Sequence, residues 1–343
     1  MRRLRFSLPL LIILTICAWP AMAHAVTFGA SVDGDFINYE RGLSTWPEVQ
    51  TSLRELWATG ATVARTSSDW SQTEAKRPVA GHHRYNWAYD DLIVAGLAMA
   101  HLRWEPMLGY TPKWAQQRIR PARDSQGNVS PLPPRSDSVY GDYVAAFARR
   151  YGVGGSFWAI NPSLPRLPVT TFEIWNEPDE RMSWGLDIDL QDYAKLYKVA
   201  YRAIKRVDQR SSVITGGLAF PHSTLSRLLR PLAGFPIDGV AVHTYVRDPK
   251  QVVGLAQWAS RAMPYYGRGR TPLIDNEFGW SGVRGAWQFA PKRKIHSYWT
   301  QSIVGLSKIR DISQIVPFGW PDSSWGLSTG GLAAGIKQAR GRR

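Results

Sequence analysis

From Phe28 to Trp320 the chain repeats one alternation eight times: a short run rich in β-branched and aromatic residues, then a stretch with helical spacing. Strands separated by helices cannot pair through tight hairpins, so they pair in parallel, each crossing over through its helix. The strand-like runs are residues 28–32, 61–66, 102–109, 169–174, 212–217, 239–243, 273–277 and 315–320. Between them, residues 46–59 place Leu53, Leu56 and Trp57 on one face, with Pro47 in the first turn and Gly60 just past the end. Residues 191–207 are the clearest amphipathic helix, with Tyr193, Leu196, Tyr197, Ala200 and Ile204 at helical spacing. Further helices are expected over 87–99, 139–151, 223–232, 250–262 and 292–308. Eight such units in about 300 residues predict one α/β domain, a (β/α)8 TIM barrel over residues 26–330. The glycine- and serine-rich run 325–334 predicts a poor last helix, and residues 331–343 read as a basic C-terminal tail.

The N-terminus is a different kind of segment. Arg2, Arg3 and Arg5 precede the apolar run 6–19, then Ala21-Met22-Ala23 and Ala23-His24-Ala25 supply small residues. This is the pattern of a secretory signal over residues 1–25, cut after Ala23 or Ala25, and it predicts a secreted protein, extracellular or in the wall or periplasm. The other reading is an uncleaved anchor, although the run is short for a membrane span. No later stretch is apolar enough to cross a bilayer. Cys17, the only cysteine, lies inside this segment. The cleaved chain would hold no thiol, which excludes disulfides, thiolate catalysis and cysteine metal sites. A monomer is expected.

Charge bears on partners. Lysine and arginine number 42 against 27 acids, a formal +15, and the balance stays strongly positive without the three leader arginines. A basic exported protein can dwell on anionic polymers, but solubility alone also accounts for the charge, and no nucleic-acid motif is present. The sixteen tryptophans and fourteen tyrosines suit the apolar faces of sugar rings, though most must be ordinary core.

In a parallel barrel, chemistry is done where strands end at the C-terminal lip. Arg65 ends the second run, Asn176 and Glu177 the fourth, His243 and Tyr245 the sixth, Glu277 the seventh and Trp320 the eighth. Pro178 stops the fourth run and opens a loop. Glu177 and Glu277 are three βα units apart, which sets them across the barrel mouth. Two carboxylates facing across a cleft are what glycosidic hydrolysis needs: a protonated one for the leaving oxygen, an ionised one to attack C1 or activate water. No cofactor or metal is expected: His82 and His83 are adjacent and face apart, without ligand spacing. No Gly-x-Ser-x-Gly elbow is present.

The run Glu173-Ile174-Trp175-Asn176-Glu177-Pro178, with Glu277-Phe278-Gly279-Trp280 three units later, resembles the retaining glycoside hydrolases of clan A. The likeness is greatest to family thirty-nine and related family-five-like secreted enzymes. Arg65 with Trp70, Tyr110-Thr111-Pro112-Lys113-Trp114-Ala115, Arg150-Tyr151-Gly152 and Gly155-Ser156-Phe157-Trp158 extend it, and it covers nearly everything from Phe28 to Trp325. The resemblance implies Glu177 as general acid/base and Glu277 as nucleophile. It also implies Asn176 on the sugar 2-hydroxyl, Arg65 keeping Glu277 ionised and Tyr245 donating to Glu277. His243 would line the pocket and Trp320 would be the sugar platform. For Arg65 a purely structural ion pair stays open, and for His243 a satisfied core histidine; Trp175 and Trp280 are not assigned sugar contacts. Asp275 departs from the family, which has an apolar residue there. It is expected to pair with Arg65 or Arg103, or to act as a third carboxylate beside Glu277. The substrate implied is a poly- or oligosaccharide, neutral or acidic, since Arg181, Arg247 and Arg284 lie just past strand ends. A barrel that binds carbohydrate or cell-wall polymer without cleaving it is the alternative.

Overall fold

The computed structural model describes residues 25–286, 288–320 and 329–341. The expected signal segment, apart from Ala25, and Trp325 lie outside the described residues.

Eight parallel strands, β1 (Thr27–Ser31), β2 (Val63–Asp69), β3 (Arg103–Gly109), β4 (Thr171–Ile174), β5 (Ser212–Thr215), β6 (Val240–His243), β7 (Leu273–Glu277) and β8 (Ile312–Ile315), form a sheet in the order β5-β4-β3-β2-β1-β8-β7-β6. Its two edges meet through parallel bridges Ile214 to Gly239 and Leu218 to Val242, and His243 N donates to Leu218 O at 2.9 Å, so the sheet curls into a nearly closed barrel. The long outer helices are α2 (Trp46–Ala58), α4 (Ala88–Met99), α5 (Asp137–Tyr151), α8 (Leu190–Val207), α9 (Pro221–Leu229), α10 (Pro249–Ala262), α11 (Lys292–Leu306) and α12 (Thr329–Arg340). The short helices α1 (Asp33–Glu40), α3 (Trp70–Thr73), α6 (Ser156–Ile160) and α7 (Arg181–Trp184) sit in the loops. Among the described residues no helix is long and apolar enough to cross a membrane.

Side-chain periodicity explains the layers. Alternation along β4 turns Phe172 and Ile174 towards the helices and Glu173 into the barrel. The helix-facing residues join Trp104, Tyr143, Phe147 and Tyr151 in an aromatic layer between barrel and helices. The interior towards the C-terminal end is polar instead: Arg65, Glu105, Glu173, Asn276 and Gln314 are all buried.

Two expectations fail at the end of the chain. The eighth strand is Ile312–Ile315, so it ends where the expected run begins. Pro317 sits inside that run, and a residue without an N–H cannot continue a ladder. The stretch expected as a weak helix and a basic tail forms twelve-residue α12, with Leu332, Ile336 and Ala339 buried. Its glycines are the reason. A Cβ on Gly331 would lie 2.8 Å from His296 O, and one on Gly335 would lie 2.9 Å from Ile303 Cδ1. These two positions, four apart on one face, let α12 lie close against α11. Burial of its apolar stripe offsets a helix-propensity cost of ~1 kcal/mol per glycine.

Candidate active site

The site is built on β2, β4, β6 and β7. Arg65 is the third residue of β2 rather than its last, aligned with Ser31 on β1 and Glu105 on β3. Its side chain therefore stands inside the barrel, beneath the mouth. There four bonds hold it: Nε donates to Glu173 Oε2 at 2.6 Å, Nη2 to Glu173 Oε1 at 3.1 Å and to Asn176 Oδ1 at 2.9 Å, and Nη1 to Glu277 Oε1 at 2.6 Å. Burial would strip its charge, but the carboxylates of Glu173 and Glu277 hold its pKa well above the usual value. Two anions on one cation leave a net negative charge that a further cation must balance.

That cation is supplied by β6. The register shifts between Val242 and His243, which brings His243 level with Glu277. Such a bulge re-aims a side chain. His243 Nδ1 lies 2.7 Å from Glu177 Oε1 and 3.6 Å from Glu277 Oε2. Burial opposes its protonation, but Glu277 and Glu177 outweigh that and raise its pKa. Tyr245, two residues on, donates its hydroxyl to Glu277 Oε2 at 2.8 Å.

The chain past β4 is bent sharply: Trp175 and Glu177 both have positive φ, 68° and 43°. Non-glycine residues adopt this region at a cost, typically where a site demands it. Backbone bonds from Trp175 N to Leu108 O and from Glu177 N to Gly217 O, each 3.1 Å, hold the bend. It sends the Glu177 side chain, 19% exposed, across the mouth towards His243. Between them Asn176 is oriented by chemistry: a guanidinium only donates, so Oδ1 faces Arg65 and the amide NH2 is left to donate elsewhere. Asp179 fixes the neighbouring loop, accepting from Ala219 N, Phe220 N and Thr224 Oγ1 at 2.7–2.9 Å.

The two glutamates are thereby pushed apart in acidity. Burial raises the Glu177 pKa, and the hydrogen bond and charge of His243 do not cancel it. Burial acts in the same direction on Glu277 but loses to His243, Arg65 and the Tyr245 hydroxyl, which together lower it. One carboxyl tends to hold a proton while the other stays ionised. An oxygen of each, with a ring nitrogen of His243, lie within 4.8 Å of one another. The same three residues resemble a metal-ligand set, but Arg65 already occupies Glu277 and a protonated imidazole has no lone pair to give.

The expected residues Asn176, Glu177, Arg65, His243, Tyr245 and Glu277 thus come together. Trp320 does not. It is buried, with its indole N–H donating to Ser52 Oγ at 3.0 Å and lying 3.3 Å from Ser52 O, because β8 ends five residues before it. Half-buried Phe318 instead stands edge-on to Tyr245, ring centroids 6.2 Å apart. Asp275 also departs from expectation. It pairs with neither arginine: Thr244 Oγ1 donates to it at 2.8 Å, burial pushes its pKa up to about 8, and Arg103 bonds Thr170. It is a buried neutral acid on the same face of β7 as Leu273 rather than a third charge. Two neighbours went unassigned in the sequence. Glu173 was readable, since alternation places it inside with a partner for Arg65. Tyr110, whose pKa is raised by burial and by Glu177 and Glu277, was part of the quoted motif but had no assigned role.

A (β/α)8 barrel with two unequal carboxylates at its lip, set against an arginine and a histidine, defines a class of site. Within that class the chain belongs to glycosyl hydrolases family 39, whose sequence pattern matches residues 74–259, just over half of it. A β-xylosidase of Geobacillus stearothermophilus is 30% identical over 174 residues, 47% of this chain and 31% of that protein, so the match spans under a third of that relative. Crystal structures share the fold: a monomeric β-xylosidase from Caulobacter crescentus CB15 aligns at TM-score 0.64 and 18% identity, over 92% of this chain and 68% of that one. The GH39 enzyme from Xanthomonas axonopodis pv. citri aligns at 0.66 and 18%, over 92% and 66%.

Proposed function

We propose that the protein is an exported, monomeric O-glycosyl hydrolase that cleaves a poly- or oligosaccharide with retention of anomeric configuration. The observation that carries this reading is the unequal pair Glu177 and Glu277, with oxygens within 4.8 Å. Carboxylates ~5–5.5 Å apart suit double displacement, whereas inversion needs ~6.5–9.5 Å to seat a water. Glu177, kept protonated by burial, gives its proton to the leaving oxygen. Glu277, ionised beside Arg65, attacks C1 and forms a glycosyl-enzyme. Glu177, now ionised, takes a proton from water, which attacks C1 and releases Glu277. The Asn176 amide donates to the sugar 2-hydroxyl, a bond that strengthens as charge builds at C1. The protonated His243 holds Glu177 through Nδ1, and Tyr245 fixes the attacking carboxylate. Phe318 takes the platform role that the sequence assigned to Trp320.

Similarity to a β-xylosidase makes an aryl β-D-xyloside the first substrate to offer, beside a panel of neutral and uronic polysaccharides. The expected result is release of a sugar that proton NMR first detects in the substrate's own anomeric form. Glu177→Gln and Glu277→Gln should each cut kcat by on the order of 10²–10⁴ or more while leaving the fold intact. The pH profile of kcat/KM should be bell-shaped, its acid limb set by Glu277 losing charge and its alkaline limb by the Glu177–His243 pair losing its proton. Full activity in either variant, or first release of the opposite anomer, would refute the mechanism.

A further inference from the structure

Beside the catalytic pair lies a recess that the proposed chemistry does not use. It has a volume of about 510 Å3 and is lined by Val246, Arg247, Gln251, Gln288 and Phe289. Its size falls in the ~300–1,000 Å3 range of small-molecule sites. Tyr245 joins it to the active site: the hydroxyl donates to Glu277 at 2.8 Å, while the main-chain oxygen accepts from Gln288 Nε2 at 3.0 Å. The recess therefore begins one tyrosine side chain away from the reacting carboxylate.

Its walls are held. Trp280 Nε1, from the loop after β7, donates to Val246 O at 3.0 Å and to Arg247 O at 3.1 Å, which fixes the loop after β6. Ser281 N to Gln288 O and Ala290 N to Ser281 O, both 2.9 Å, close the opposite wall. Its polar groups are selective. The Arg247 guanidinium is exposed and, among the described residues, no carboxylate lies within ion-pair distance of it. The adjacent Asp248 is engaged elsewhere, capping α10 through Gln251 N at 3.0 Å. Gln251 gives its Oε1 to Arg247 N at 3.2 Å, which turns its NH2 outward, and Gln288 spends its NH2 on Tyr245, which turns its oxygen outward. Phe289 adds a 39% exposed ring.

One cation, one amide donor, one amide acceptor and an aromatic face are the complement of a sugar ring bearing a carboxylate. We infer that this recess is a subsite for an acidic sugar residue of the substrate, a uronate, next to the sugar that Glu277 attacks. The carboxylate meets Arg247 in a paired, charge-assisted contact. The ring hydroxyls meet Gln251 and Gln288, and the apolar face of the ring lies on Phe289. The inference rests on the glycan-cleaving role of Glu177 and Glu277, and it restricts the preferred substrate to polymers that carry acid at a fixed distance from the cut.

Binding tests it without turnover. Methyl β-D-glucuronide and methyl β-D-glucoside, which differ in the carboxylate, are titrated into the full protein at about 0.15 M salt and followed by ligand-observed NMR. The uronide should bind about tenfold more tightly, the scale of a hydrogen-bonded ion contact. Arg247→Gln, a change at an exposed position, should abolish the preference, Arg247→Lys should restore part of it, and Glu177→Gln should leave it in place. Equal binding of the two glycosides, or a preference that survives Arg247→Gln, overturns the subsite. Loss of hydrolysis of every glycan with an Arg247-dependent preference intact would instead overturn the catalytic reading and leave the uronate site standing.

Discussion

The position of His243 depends on a residue with no side chain. A Cβ on Gly217 would lie 2.0 Å from His243 Nε2 and 2.8 Å from Asn276 Oδ1, and the imidazole cannot yield because Glu177 and Glu277 hold its other nitrogen. Gly217 also supplies the oxygen that anchors Glu177 N and donates its own N–H to Glu173 Oε1, both at 3.1 Å. Gly217→Ala should therefore fold, with unchanged circular dichroism, yet lose about 10²-fold or more in kcat/KM, because sub-ångström placement of acid and base controls rate. Activity within a few-fold of the parent would show that His243 does not position the pair. At this scale the sequence was most legible where a residue type is committed to a strand end: Glu177, Glu277, His243 and Tyr245 stand at or just past the ends of β4, β6 and β7. Arg65 was found for its charge but misplaced by position, since β2 runs four residues beyond it. Gly217 was beyond reach, because nothing in a single glycine tells which side chain it makes room for.

Among the elements, the strands read closest to their observed bounds are β3, β6 and β7, whose runs end at Gly109, His243 and Glu277. The eighth was misread because Val316, Phe318 and Trp320 prolong its pattern past Pro317. Those three residues are lip, not strand, and the shift moved the aromatic candidate from Trp320 to Phe318. The glycine-rich α12 was misread for a related reason: propensity speaks for an isolated helix, whereas packing decides in the fold. The two influences make opposite predictions for Gly331→Ala. Propensity alone would stabilise α12 by about 1 kcal/mol. The structure places the new methyl 2.8 Å from the His296 carbonyl oxygen and 3.1 Å from Trp299 Cβ, neither of which can rotate away. The expected outcome is a lower melting temperature, by an amount typical of overpacking, ~1–3 kcal/mol. A higher one would mean that α12 does not close against α11 and that the tail-like reading of this segment was the better one.

Across the whole molecule, buried acids set how stability follows pH. Burial raises Asp35, Asp90 and Glu105 to about 7 and Asp275 to about 8. In the unfolded chain these carboxyls ionise near ~4. Between those limits the folded protein binds more protons than the unfolded chain, so stability must fall as pH rises. His243 acts in the same direction, since its folded pKa is also raised: its contribution is complete below its unfolded value and fades as pH climbs through the folded one. Glu277 acts oppositely, its lowered pKa giving stability that is lost only on acidification through the carboxylate range. The four raised acids outweigh Glu277, so the sum predicts a maximum at or below pH ~4, where the unfolded carboxyls begin to ionise. The melting temperature should therefore decline steadily from pH 5 to pH 8. Asp90→Asn keeps a group that can accept from Ser68 Oγ or Thr73 Oγ1 but removes one titration, and it should flatten that decline while lowering the maximum. A melting temperature that is level or rising between pH 5 and pH 8 would mean that these carboxyls are ionised in the fold. Asp275 would then carry a second charge on β7, two residues from Glu277.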